Sequence, residues 1–324
     1  MNLRYFLIIA IIFAFSIPAP ALSHDDIGMS PLEVRQDIED VLMILDKHYV
    51  YPETAKAMRK FVNAKVLGGD YADIQSRREL IEKLQTDLRS SSKDSHISLH
   101  LASDRQDRNN HRLPKTMVEN EVHVDILARE SDKPKIGYLR FNKFSGDAKT
   151  KRRIIEAMNR LNVTDSLIID LRNNPGGDPN LSAFLSSYFL RENTHLWSIV
   201  DRNGDTLFRT DSADVGQYYS GELCILISDK TGSAAESFAY TLKHLKRATI
   251  IGQTSGGAAH LVQMERVNEQ IDIRIPTARA YNPITKTNWE GVGVIPTMSV
   301  DASVAQQVAI QYLLKKDNVS TKLN

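Results

Sequence analysis

Ser233 sits in the stretch TGSAAESFAY, residues 231–240, where an apolar run, Leu223 to Ile227, gives way to a helical pattern. A serine at that place is a preferred helix cap. It is also exposed, held firmly and close to amides that favour negative charge, which are the conditions a nucleophile needs. The stretch alone supports both readings. A second turn, in LIIDLRNNPGGDP at residues 167–179, ends another apolar run. Gly176 and Gly177 allow close approach of the backbone, and Asp178-Pro179 supplies a cap and a first helical position. Most such turns only solve a backbone problem, but free N–H groups there can hold an anion or a developing oxyanion. The N–H groups of Gly177 and Ala234 are therefore the candidate oxyanion pair.

A serine needs a base to attack at neutral pH. His96, in DSHISL at residues 94–99, is the first candidate, and His260, in GQTSGGAAH, is the second. An ordinary strand histidine, facing the same way as Ser98 and His100, is the competing reading of His96. The pair His96 and His100 raises the question of a metal, but no acidic or cysteine ligand stands at a telling spacing, so none is expected. No nucleotide or flavin fingerprint is present either, so no cofactor is expected.

These side chains need elements to position them. Ser30-Pro31-Leu32-Glu33 has capping-box spacing, and Val34, Ile38, Val41, Leu42 and Leu45 follow at helical intervals. Pro52 restarts a helical pattern, and a third runs from about Asp73 to Leu88. The spacing predicts a small N-terminal helical bundle over residues 24–100, ending in DSHISL. Residues 101–134 read as a charged loop and one connecting strand. From residue 135 to 324 short apolar strands alternate with helices: IGYLRF, KTKRRIIEAMNRL, SLIIDL, DPNLSAFLSSYFL, ELCILIS, ESFAYTLKHL and ATIIG. That order predicts an α/β core with a mostly parallel sheet. IDIRIPTARAYNP and WEGVGVIP read as an appended antiparallel β region, and a helix from about Ser303 to Lys315 closes the chain. Parallel sheets build sites at the carboxyl ends of their strands, so the two turns face one crevice.

Residues 1–23, MNLRYFLIIAIIFAFSIPAPALS, have one basic residue, a short apolar run and small residues before His24, the pattern of a cleaved secretory signal. An exported chain, periplasmic or secreted, without stable membrane insertion after cleavage is expected. The chain carries 41 basic and 40 acidic residues. Residues 1–23 contain only Arg4 among them, which leaves 40 of each and no electrostatic reason to seek nucleic acid. Cys224 is the single cysteine, so no internal disulfide can form, and its apolar surroundings mark it as core.

Taken together, DLRNNPGG, TGSAAESFAY followed by RATIIGQTSGG, and EGVGVIP resemble the signatures of the tail-specific (C-terminal-processing) serine peptidases. DSHISL is similar to the tricorn and interphotoreceptor retinoid-binding branch of that family. The likeness runs from about residue 30 to 312. It implies a ClpP/crotonase-like core, Ser233 as nucleophile, and an oxyanion hole from Gly177 and Ala234. Where the bacterial processing enzymes carry a lysine base, GQTSGGA places Ala258, so a Ser-Lys dyad is not expected. The tricorn-like branch implies instead His96 as base, Glu290 as the orienting carboxylate and Ser95 as an assisting group. Residues 101–135 are too few for the PDZ module found in many processing enzymes.

The function expected is thus a serine endopeptidase acting through an acyl-enzyme on peptides or unfolded exported proteins. The alternative, drawn from the retinoid-binding relatives, is a silent module that binds a hydrophobic ligand or protein. A crotonase-like acyl-CoA enzyme shares the architecture, but the secretory signal argues against it. The sequence leaves substrate, cleavage preference and oligomeric state open.

Overall fold

The computed structural model describes residues 28–104, 122–127 and 134–320. The signal-like residues 1–23 and most of the charged connection lie outside them. Three helices come first: α1 (Pro31–His48), α2 (Pro52–Leu67) and α3 (Arg77–Ser92). Ser30 and Glu33 close the capping box of α1, with Glu33 N–H on Ser30 Oγ at 3.3 Å and Ser30 N–H on Glu33 Oε2 at 2.8 Å. Ser76 caps α3 through the Glu79 N–H at 3.2 Å. There follow β1 (Ser98–Leu101), β2 (His123–Ile126), β3 (Ile136–Arg140), α4 (Ala148–Leu161), β4 (Ser166–Asp170), α5 (Pro179–Ser186), β5 (His195–Val200), β6 (Thr206–Asp211) and β7 (Glu222–Ile227). The remainder comprises α6 (Ala234–His244), β8 (Thr249–Gly252), β9 (His260–Arg266), β10 (Ile271–Tyr281), β11 (Met298–Ser299) and α7 (Ala305–Ser320).

Six strands form one sheet in the order β11-β8-β7-β4-β3-β2, parallel except for β2. Its strands are apolar on both faces because helices cover both. In β4, Leu167 and Ile169 pack with Ile154, Met158 and Leu161 of α4. Ile168, one residue out of phase, packs on the other face with Cys224, Leu226 and Ala305, Ala309 and Leu313 of α7. Alternation along the strand thus divides the core into two layers. Burial pushes the Cys224 thiol up to about 12, as befits a core residue.

The second sheet is antiparallel, in the order β1-β10-β5-β6 with β9 also paired to β10. Ile271, Ile273 and Ile275 of β10 and Leu99 and Leu101 of β1 bury against Val34, Ile38, Leu42, Met58 and Leu84 of the three helices. This packing docks the N-terminal helices on the antiparallel sheet, and it fixes the segment just before β1.

Two local expectations differ. WEGVGVIP is a turn rather than a strand, because Gly291 and Gly293 adopt φ of 68° and 72°. The helix of DPNLSAFLSSYFL stops at Ser186 rather than running on to Leu190. The hydroxyls of Ser186 and Ser187 bond to the carbonyls of Ser182 and Ala183, four residues back, a habit that weakens helices. Among the described residues no helix is long and apolar enough to cross a membrane.

Candidate active site

The carboxyl ends of the neighbouring strands β4 and β7 bring the two turns side by side. Gly232 N–H donates to Asn174 O at 3.1 Å, and Asn174 Nδ2 donates to Phe141 O at 2.9 Å. Gly176, at φ 102°, packs so close that a Cβ there would lie 2.6 Å from Gly232 O and 2.8 Å from both Ala234 N and Ser233 Cβ. Only glycine allows this approach, which is the reason for the glycine pair in the sequence.

Ser233 is exposed, with φ 50° and ψ −118°, far from the extended conformation of an ordinary cap. Backbone strain of this kind persists only where neighbours hold it. Glu236 provides the hold. Its carboxylate is fully buried, and Oε2 accepts from Ser233 N–H at 2.7 Å and Ala258 N–H at 2.9 Å. Oε1 accepts from Ser255 Oγ and Gly257 N–H, both at 2.6 Å. One carboxylate therefore ties the Ser233 turn to the segment 255–258. The sequence reading missed Glu236, although Ser233-Ala234-Ala235-Glu236 has the Ser-x-x-Glu spacing that signals it.

Gly177, Ser233 and Ala234 face one cavity of about 330 Å³, whose walls are mainly apolar, with Trp197, Ile199, Leu261 and Trp289 among them. Among the described residues neither Gly177 N–H nor Ala234 N–H has an acceptor, while Gly176 N–H is taken by Asn174 Oδ1 at 2.9 Å. Two unpaired amides beside an exposed serine suit an oxygen that gains negative charge.

His96 stands in the turn between α3 and β1. Its Nδ1 lies 3.0 Å from Asp94 Oδ1 and 3.3 Å from Glu290 Oε1. Asp94 Oδ1 also accepts from His96 N–H at 2.8 Å, and Asp94 Oδ2 accepts from the buried Tyr49 hydroxyl at 2.7 Å. The hydrogen bond to Asp94 raises the His96 pKa above the usual imidazole value against the opposing effect of burial, and the Glu290 charge adds to the rise. Burial disfavours ionised Asp94, yet its hydrogen bonds from His96 and Tyr49 hold it below the usual carboxylate range. With Nδ1 facing two carboxylates, Nε2 is the end of the ring left for another group. Asp94, the first letter of DSHISL, was given no role in the sequence reading. Its signal is the Asx-type spacing, aspartate two residues before the N–H it accepts.

Glu290 Oε2 accepts from Ala259 N–H at 2.7 Å and His260 N–H at 3.0 Å, and burial raises its pKa. Ser95 is exposed in the same turn as His96 and, among the described residues, makes no hydrogen bond to it. His260 lines the cavity with Ser233. Its Nε2 is 3.1 Å from the Tyr51 hydroxyl, and burial lowers its pKa to about 4, so it is a weak base. The His96 and His260 rings lie 5.8 Å apart. Sequence spacing paired His96 with His100, whereas folding groups ligand atoms of Asp94, His96 and His260 within 4.8 Å of one another. Among the described residues no hydrogen bond joins Ser233 to His96; in ligand-free sites such contacts are often long and tighten on binding.

The chain matches the model described as peptidase family S41 over residues 135–300, and that of the N-terminal domain of peptidase S41 in eukaryotic IRBP over residues 32–129. A carboxyl-terminal-processing protease of a Picosynechococcus species is 30% identical over 172 residues, 52% of this chain and 40% of the relative. The chain therefore spans less than half the length of that relative. The solved photosystem II D1 C-terminal processing protease superposes with a TM-score of 0.59 at 17% identity, covering 84% of this chain and 94% of the other. The tricorn protease superposes with a TM-score of 0.55 at 12% identity, covering 88% and 37%. The shared fold is the ClpP/crotonase-like α/β core that the motifs implied.

Proposed function

The chain belongs to peptidase family S41, and on that premise we propose that it is a serine peptidase acting through an acyl-enzyme with Ser233, His96 and a carboxylate pair. Ser233 Oγ attacks a peptide carbonyl carbon as its proton passes to His96 Nε2. The carbonyl oxygen, now negative, takes hydrogen bonds from Gly177 and Ala234 N–H. His96 returns the proton to the leaving amine, then activates the water that releases the acid and frees the serine. Asp94 and Glu290 hold the ring and stabilise its charged form. Ser95, exposed and without a hydrogen bond to His96 among the described residues, takes no part in this step.

The observation that carries this reading is the placement of His96 Nδ1 against Asp94 Oδ1 and Glu290 Oε1, which suits a general base and not a packing histidine. The apolar cavity beside Ser233 favours a peptide with an apolar side chain next to the cleaved bond. The signal-like leader supports exported peptides or unfolded exported proteins as substrates. The test is the intact mass of the purified protein after exposure to a fluorophosphonate. One adduct is expected on the wild type, none on Ser233→Ala, and a rate lower by about 10⁴-fold or more on His96→Ala. No adduct from neutral to alkaline pH would overturn the peptidase reading in favour of a module that binds an apolar ligand in the same cavity.

A further inference from the structure

We propose that Asp94, His96, His260 and Glu290 form a zinc-type divalent cation site beside Ser233. Carboxylate oxygens and imidazole nitrogens are the hard and borderline ligands that zinc takes, and two carboxylates balance its charge. The spacing fits as well. A tetrahedral ion with bonds of about 2.0–2.1 Å separates its ligand atoms by roughly 3.3 Å. Here ligand atoms of Asp94, His96 and His260 all lie within 4.8 Å of one another, with His96 Nδ1 3.0 Å from Asp94 Oδ1, and Glu290 borders that group through two different oxygens, Oε1 at 3.3 Å from His96 Nδ1 and Oε2 at 3.5 Å from His260 Nδ1.

His260 supplies the observation that points to a ligand. Its side chain is 4% exposed, and its buried Nδ1 has no hydrogen-bond partner among the described residues. A buried polar atom left in that state is costly, and a cation between Nδ1 and the carboxylates satisfies it. The surroundings are those of a supported metal centre, in which each ligand is oriented by an outer hydrogen bond. Tyr51 OH holds His260 Nε2, Tyr49 OH holds Asp94 Oδ2, and the N–H groups of Ala259 and His260 hold Glu290. The four residues come from two distant parts of the chain, so no sequence spacing reveals the set.

The consequence for catalysis rests on the peptidase reading. An ion on His96 Nδ1 displaces the proton shared with Asp94, and neutral His96 then carries its proton on Nε2. In that form it cannot take a proton from Ser233, so the bound ion arrests acylation reversibly.

The experiment titrates the chelator-treated full chain with cobalt(II) chloride, read by visible d–d absorption, and with zinc chloride, read by calorimetry. One site per chain is expected, with a tetrahedral cobalt spectrum that zinc abolishes. His260→Gln is expected to weaken it by more than about 10-fold, the least that even an outer partner controls. Glu290→Gln serves as the second variant. Fluorophosphonate labelling of Ser233 should fall with the same zinc dependence and recover with EDTA. Ser233→Ala should bind cobalt as the wild type does, so the site stands on the spectrum even if labelling fails for another reason. Absence of a cobalt spectrum together with no zinc heat, or unchanged affinity in both variants, overturns the proposal.

Discussion

Replacing Glu236 by Gln tests whether a single buried carboxylate sets the geometry at Ser233. The four donors divide two to each oxygen: Ser233 and Ala258 N–H on Oε2, Ser255 hydroxyl and Gly257 N–H on Oε1. An amide must point its NH₂ at one pair. Toward Ser233 and Ala258 it would oppose two fixed N–H groups. Toward Oε1 it opposes only the Gly257 N–H, because the Ser255 hydroxyl can rotate to accept, as Ser255 Oγ already does from Val294 N–H at 2.6 Å. The second orientation wins, so the variant keeps the Ser233 contact and leaves two buried donors, the Gly257 N–H and the Ser255 hydroxyl proton, without their acceptor, a cost of about 2–6 kcal/mol at roughly 1–3 kcal/mol each. Loss of charge from the remaining bonds weakens them further. Urea unfolding of Glu236→Gln should therefore show a deficit of that size, with Ser233 still reactive to fluorophosphonate at a reduced rate. Glu236→Ala, which orphans three N–H groups and a hydroxyl, should lose roughly twice as much and its reactivity too. A Glu236→Gln stability within about 0.5 kcal/mol of the wild type, the range of an ordinary surface change, would refute the reasoning.

Gly176→Ala should drive a Cβ into Gly232 O and Ala234 N, backbone atoms that cannot yield, and so displace one oxyanion donor. The Ser233 acylation rate should drop about 10²–10³-fold, and an unchanged rate would exclude Ala234 N–H from that role. Asp170 predicts a pH effect on stability. Although burial disfavours its charge, hydrogen bonds from Arg172 and the Tyr138 hydroxyl hold its pKa below the usual value. A lowered folded-state pKa gives stability that is present above the unfolded value of about 3.9 and is lost as pH falls through the folded one. Urea unfolding from pH 5 downward should show this loss in the wild type and a flatter profile in Asp170→Asn; parallel profiles would sink the assignment.

The parallel core was legible because its strands are buried on both faces and read as apolar runs, as SLIID and ELCILI do, between helices with capping signals. The antiparallel sheet was legible only in part: IDIRIPTARAYNP reads as antiparallel β and forms β10, but most of its partner strands do not stand out. HLVQMER of β9 mixes charge with apolar residues because the strand is mostly exposed, and β10 runs through Pro276 by a shift in register. Without that sheet, the place of His96 could not be derived from spacing. It stands 137 positions before Ser233, and the packing of α1–α3 on β1 and β10 brings its turn to Glu290 and His260. The resemblance to a family supplied Glu290, and the preference for His96 over His260, for that reason, since pattern reasoning sees only neighbours in sequence. Asp94 and Glu236 are the reverse case. Each is local to a candidate residue, two before His96 and three after Ser233, and each carries a known capping or turn spacing. Such polar residues are read as backbone punctuation, but here the same short-range bonds also fix the two groups that must meet, so a capping signal next to a candidate nucleophile or base is itself evidence about the site.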